Sequence, residues 1–153
     1  MYPGTLDSIV DLFEHLPDEE KRSLLISYAD SAGKYGPEEG ATYDLEDIRK
    51  DEECTDTVGI FLTVDEDEGD ASEFKVSLGG EVQTLTRAMT SILCRSLAGA
   101  TPQEILDCPA DFVPKIIGAE LVRQRSQTVY YVLSRMKGAA KVYLARKRAG
   151  ETA

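Results

Sequence analysis

The chain has 153 residues, of which 42 % are hydrophobic and 29 % charged, enough apolar material for one folded core and too much for wholesale disorder. With 28 acidic and 17 basic residues its net charge is −11, so it lacks the basic surface that phosphate-backbone binding needs, and nucleic acid is a poor partner class. No apolar run reaches the roughly 18 residues of a spanning helix, and the N-terminal MYPGTLDSIV has neither the basic start nor the apolar stretch of a secretion signal. A single cytoplasmic domain over residues 1–153, with frayed ends and no membrane contact, is therefore expected.

In chain order, Leu6, Ile9, Val10 and Phe13 recur at helical spacing and Pro17 ends that run; Asp18, Glu19 and Glu20 then open a second helix carrying Leu24, Leu25 and Tyr28. Gly33, Gly36, Pro37 and Gly40 break the pattern, and residues 41–56, mostly acidic with few apolar anchors, are expected to form an exposed loop. Residues 57–64 (TVGIFLTV) and 73–78 (EFKVSL), separated by the acidic tip 65–70, read as an antiparallel hairpin with one covered face. Val82, Leu85, Met89, Ile92 and Ser96 mark a core helix over residues 81–97, with Gly99 placed as its cap. Thr101-Pro-Gln-Glu104 combines an N-cap threonine, a proline at the first helical position and a capping-box glutamate, predicting a short helix that stops near Pro109. Phe112, Val113, Ile116 and Ile117 form one further apolar piece ending at Gly118. A last helix then follows Ser126, with Val129, Leu133, Met136, Ala140 and Tyr143 on one stripe and basic residues opposite. The order predicts an α+β fold: a small antiparallel sheet built on a central hairpin, packed against N-terminal and C-terminal helices.

Three cysteines, Cys54, Cys94 and Cys108, form an odd set without CxxC spacing, which excludes a complete disulfide framework and points to a reducing compartment. One histidine, His15, far from every cysteine in sequence, leaves no metal-ligand pattern, and no phosphate-loop, dinucleotide, nucleophile-elbow or HExxH motif is present. His15 reads as an exposed residue on the first helix. Cys94, beside Leu93 and Leu97, and Cys108, between Ile105, Leu106 and Pro109, read as small hydrophobes of the core. Charge is unevenly spread: residues 38–73 hold fifteen acids and two bases, whereas residues 115–148 hold nine bases and one acid. Each block reads either as a solvated face or as a surface that steers a partner.

Three local features, in this order of elements, resemble the SufE family of persulfide acceptors that serve cysteine desulfurases in iron–sulfur cluster assembly. They are a cysteine in a polar loop before the first predicted strand (Cys54, then Val58 to Val64), the Thr101-Pro-Gln-Glu-Ile105 turn, and Arg125-Ser-Gln127 at the start of the last helix. The chain looks like a divergent member: the glycine, glutamine, serine and tryptophan usual around the family cysteine are absent from Glu53-Cys54-Thr55-Asp56, and Arg123-Gln124 stands where proline-serine usually precedes the arginine. The resemblance implies that Cys54 accepts sulfur and that Arg125 contacts its thiolate or the partner. It also implies a SufS-like cysteine desulfurase as donor, an iron–sulfur scaffold as downstream acceptor, and no cofactor on this chain, the pyridoxal phosphate being the desulfurase's.

The chemistry asks little of the carrier, since one accessible thiolate that attacks a donor persulfide and holds the outer sulfur suffices. Asp51, Glu52, Glu53 and Asp56 would raise the Cys54 pKa, so its activation must come from a distant cation or from the partner. Two other readings stay open. The chain could be an interaction module that regulates a desulfurase or other enzyme without carrying sulfur, or a thiol redox sensor, against which the lack of a nearby resolving cysteine counts.

Overall fold

The structure is a computed structural model that describes residues 2–50 and 57–152. Helix α1 (Leu6–Glu14) turns Leu6, Ile9, Val10 and Phe13 inward, as their spacing requires. Helix α2 (Asp18–Asp30) starts directly after Pro17, with three carboxylates in its first turn where the helix dipole favours them. A short 3-10 turn, Ala32–Tyr35, leads toward the sheet.

That sheet has three antiparallel strands in the order β1 (Leu45–Lys50), β2 (Thr57–Asp65), β3 (Ala71–Leu78). The hairpin expected from sequence is β2–β3, with Ile60 opposite Val76 and Leu62 opposite Phe74. Strand β1 corrects, over Leu45–Lys50, the expectation of a loop across residues 41–56, of which 51–56 lie outside the described residues. Leu45 pairs with Leu62 and Ile48 with Gly59, so six residues dominated by charge are held as an edge strand by the ladder and by one buried anchor, Leu45. A charged edge strand also discourages pairing with other chains. The strand that follows Cys54 is thus the second, and residues 51–56 connect two paired strands.

Helix α3 (Thr84–Ser96) crosses behind β3 and packs on α2 and on the C-terminal helix. It begins three residues later than its apolar spacing implied: Val82 is buried but precedes the helix, its amide bonded to the Gly79 carbonyl. Gly99 does not close the helix end; its amide donates to the Ser72 carbonyl and ties the exit of α3 to β3. Helix α4 (Pro102–Leu106) carries the complete capping box, Thr101 Oγ1 accepting from Glu104 N while Glu104 Oε1 accepts from Thr101 N, at 3.1 Å each. Helix α5 (Val113–Ile117) ends at Gly118.

Helix α6 (Ala119–Thr152) starts earlier than expected and is interrupted at Arg125, where φ −132° and ψ 33° leave helical geometry. The predicted start after Ser126 therefore coincides with a break within one long element. Past it, Val129, Val132, Leu133, Met136, Ala139 and Ala140 are buried against β1, β2, α3 and α4 in one continuous core.

Candidate functional site

Cys54 lies outside the described residues. The chain leaves the described part at Lys50 and returns at Thr57, and these two are Cα partners on the last rung of the β1–β2 ladder. On the far side of that rung Gly79 N donates to Thr57 O at 2.9 Å, so the three strands converge there.

Two contacts fix how α6 lies along the sheet. Near its C-terminal end, Lys147 Nζ sits 3.6 Å from both Glu66 Oε1 and Asp70 Oδ1, on the turn between β2 and β3. Further back, Arg135 reaches Asp47, which is opposite Ile60 in the middle of the sheet. Twelve helical residues advance about 18 Å, and the chain distance from Ile60 to Glu66 is about 20 Å, so helix and β2 run side by side in the same direction. Continued backward, the helix heads toward the end of the sheet bounded by Lys50 and Thr57, and Arg125 stands where it breaks.

Arg125 is exposed, and no hydrogen bond or ion pair joins it to another described residue. It lines a shallow cleft of about 330 Å³ with Gln124, Ser126, Gln127 and Thr128. Neither proline nor glycine occupies the break, so nothing in the local sequence announces it. Its chemical consequence is that the turn after Arg125 begins a second helical run beside a guanidinium that no described residue pairs.

Arg135 is the residue that sequence reasoning missed. Its side chain is 1 % exposed. Nε donates to Asp47 Oδ2 at 3.2 Å, a terminal nitrogen donates to the Asp47 carbonyl at 2.8 Å, and the other donates to the Tyr131 hydroxyl at 2.8 Å. The guanidinium also faces the Tyr131 ring at 5.6 Å. One signal could have found it: Thr128, Val132, Arg135 and Ala139 follow each other at helical spacing, which puts the arginine on the edge of the buried stripe and not on the basic face.

The other thiols occupy the core, as expected. Cys94 is 4 % exposed, and burial pushes its pKa up to about 12. Burial also raises that of Cys108, which the nearby Lys137 ammonium partly opposes; that ammonium donates to the Cys108 carbonyl. His15 is exposed at the end of α1, its Nδ1 2.7 Å from the Asp11 carbonyl, and this bond raises its pKa. Among the described residues no group of three or more His, Cys, Asp or Glu is placed to hold a metal ion, and no helix is long and apolar enough to cross a membrane. The acidic and basic blocks, separate in sequence, meet through Asp47–Arg135 and through Lys147 with Glu66 and Asp70.

A family model described as "SufE: Fe-S metabolism associated domain" matches residues 7–140. Among solved structures, the chain is similar to a hypothetical protein from Thermus thermophilus, with a TM-score of 0.73 and 21 % identity over 95 % of this chain and 99 % of that one. It is also similar to the N-terminal part of a nitrogen-fixing NifU-like protein from Brucella abortus, with a TM-score of 0.53 and 16 % identity over 77 % and 90 % of the two chains. At these identities the structural likenesses establish the fold alone. No curated protein matches the sequence.

Proposed function

The chain belongs to the SufE family, associated with iron–sulfur metabolism, and on that premise we propose that it accepts sulfur on Cys54 from a cysteine desulfurase and passes it to an iron–sulfur scaffold. The observation that carries this reading is the contrast among the thiols. Cys94 and Cys108 are buried, with pKa values raised by burial, so neither supplies an accessible thiolate near neutral pH. By its sequence resemblance Cys54 stands at the family's acceptor position, in the link between the paired residues Lys50 and Thr57.

The transfer is a thiol–persulfide exchange. The Cys54 thiolate attacks the outer sulfur of the donor persulfide, a new S–S bond forms on Cys54, and the donor's cysteine leaves as a thiolate; no external oxidant or reductant is consumed. Asp51, Glu52, Glu53 and Asp56 oppose thiolate formation. Arg125, exposed, unpaired among the described residues and at the break of the helix that heads toward the sheet end bounded by Lys50 and Thr57, is the cation on this chain best situated to offset them. The pyridoxal phosphate that generates the persulfide belongs to the desulfurase.

The test is the mass of the protein after incubation with a cysteine desulfurase and cysteine. One added sulfur atom is expected, mapping to Cys54, removable by a reducing thiol and absent from Cys54→Ser. Sulfur on Cys94 or Cys108, or none with a desulfurase that binds the chain, would refute the carrier reading; the latter outcome would favour a regulatory module.

A further inference from the structure

The corner where α2 ends against α3 holds a second, chemically distinct cleft of about 120 Å³, lined by Ser27, Tyr28, Ser31, Lys34, Tyr35 and Arg95, with Leu24 at its edge. A water occupies about 30 Å³ of liquid, so the space has room for a small polyatomic ion. In a chain of net charge −11, two cations line this cleft and no carboxylate does. Neither Lys34 nor Arg95 is engaged in an ion pair among the described residues. Lys34 is steadied by the ring of Tyr35, with Nζ 5.4 Å from its centroid.

Four backbone carbonyls of this corner are already engaged. The Ser27 carbonyl accepts from Ser31 N and Ser31 Oγ, at 3.2 and 3.1 Å. The Tyr28 carbonyl accepts from Ser31 N at 3.1 Å and from Ser91 Oγ at 2.6 Å. Those of Ser31 and Gly33 accept from Lys34 N and Gly36 N, both at 3.2 Å. The negative end of α2 is thereby closed off by its own turn and by α3. What remains are the ammonium of Lys34, the guanidinium of Arg95, and the hydroxyls of Ser27, Tyr28 and Tyr35, which can each donate and none of which makes a hydrogen bond among the described residues.

A cleft with two cations, hydroxyls free to donate and no carboxylate favours an anion with acceptors on every side. We propose that this corner binds a phosphate-class oxyanion, free or as the terminal group of a small phosphomonoester. A carboxylate would engage fewer of the donors and carry one charge against two cations. The site is independent of sulfur transfer and involves none of the cysteines.

The experiment is a titration of the full-length ¹⁵N-labelled protein with sodium phosphate, ionic strength being held constant with sodium chloride. A saturable shift confined to the amides of residues 27–35 and those around Arg95 is expected. Sodium acetate should bind at least tenfold more weakly, and the double variant Lys34→Gln, Arg95→Gln should weaken phosphate binding at least tenfold with the rest of the spectrum unchanged. Both substitutions are at exposed positions, so the fold should survive. A glycerol phosphate arm separates the two sources: tighter binding than inorganic phosphate identifies a phosphomonoester site, weaker binding a free oxyanion. Shifts that stay linear, that acetate matches, or that persist in the double variant would mean general screening and overturn the proposal.

Discussion

A buried guanidinium is stable only when its charge and its donors are answered, and Arg135 shows how unevenly that burden falls on its partners. Its side chain is 1 % exposed whereas that of Asp47 is 36 % exposed, so the two halves of the ion pair are not equivalent. Truncating the aspartate strands a charge with no water to receive it, at a cost of about 3–5 kcal/mol. Truncating the arginine leaves a carboxylate that solvent already reaches, and forfeits hydrogen bonds worth roughly 1–3 kcal/mol together. Asp47→Ala should therefore destabilise the protein more than Arg135→Met, read as urea-unfolding midpoints at unchanged slope; the opposite order would mean that the arginine is hydrated and not buried. At this scale legibility depended on whether a residue's role was local. Thr101 could be read because its cap partner is three positions away, and Cys94 and Cys108 because their neighbours are apolar. Arg135 hid among basic residues because its partner, Asp47, is 88 positions distant.

Elements divide along the same line. The α4 start was readable from four consecutive residues, and β2 and β3 from branched side chains and alternation. Strand β1 was not: LEDIRK has one buried anchor, and its strand geometry is imposed by Leu62, Ile60 and Val58 across the ladder. The break at Arg125 was equally silent, lying in a polar run without proline or glycine. A tighter constraint appears where α1 begins. Gly4 has φ +61°, and a Cβ there would sit 2.0 Å from the Ser96 backbone oxygen, the same atom that accepts from Thr5 N at 2.9 Å. Gly4→Ala must relieve that overlap by parting the backbones of α1 and α3. The left-handed conformation costs about 1–2 kcal/mol, and loss of the Thr5 bond adds about 1 kcal/mol. Gly99, at φ +91°, has open space where its Cβ would go, so Gly99→Ala carries only the conformational cost. Thermal unfolding should place Gly4→Ala clearly below Gly99→Ala, and equal midpoints would show that the N-terminal turn moves aside freely.

For the whole molecule, the separated charge blocks of the sequence become partly self-satisfying once folded. Lys147 lies between Glu66 and Asp70; desolvation works against its charge, and the carboxylates of Asp70 and Glu66 together outweigh it and raise its pKa. It therefore belongs to the fold's internal electrostatics, which takes one cation out of the basic block as a free surface. Arg146 and Arg148 are exposed and make no ion pair among the described residues, and the same holds for Arg125 at the other end of the helix. On the proposed carrier function, these three would divide the work of charge. Distant, solvated charges act on encounter and lose their reach over a Debye length of about 8 Å at physiological salt. A cation beside the reacting sulfur acts on the chemical step and is screened less. With a cysteine desulfurase as donor, Arg146→Gln, Arg148→Gln should slow association and flatten its salt dependence, while sulfur transfer at saturating carrier stays near wild type. Arg125→Ala should instead lower the saturating rate by about tenfold or more, the scale of one lost charge-assisted contact, with a smaller change in the concentration needed to saturate. Desulfurase turnover measured against carrier concentration at several salt levels separates the two, and an Arg125→Ala protein that transfers sulfur normally at saturation would remove this arginine from the mechanism and leave Cys54 dependent on a cation of the donor.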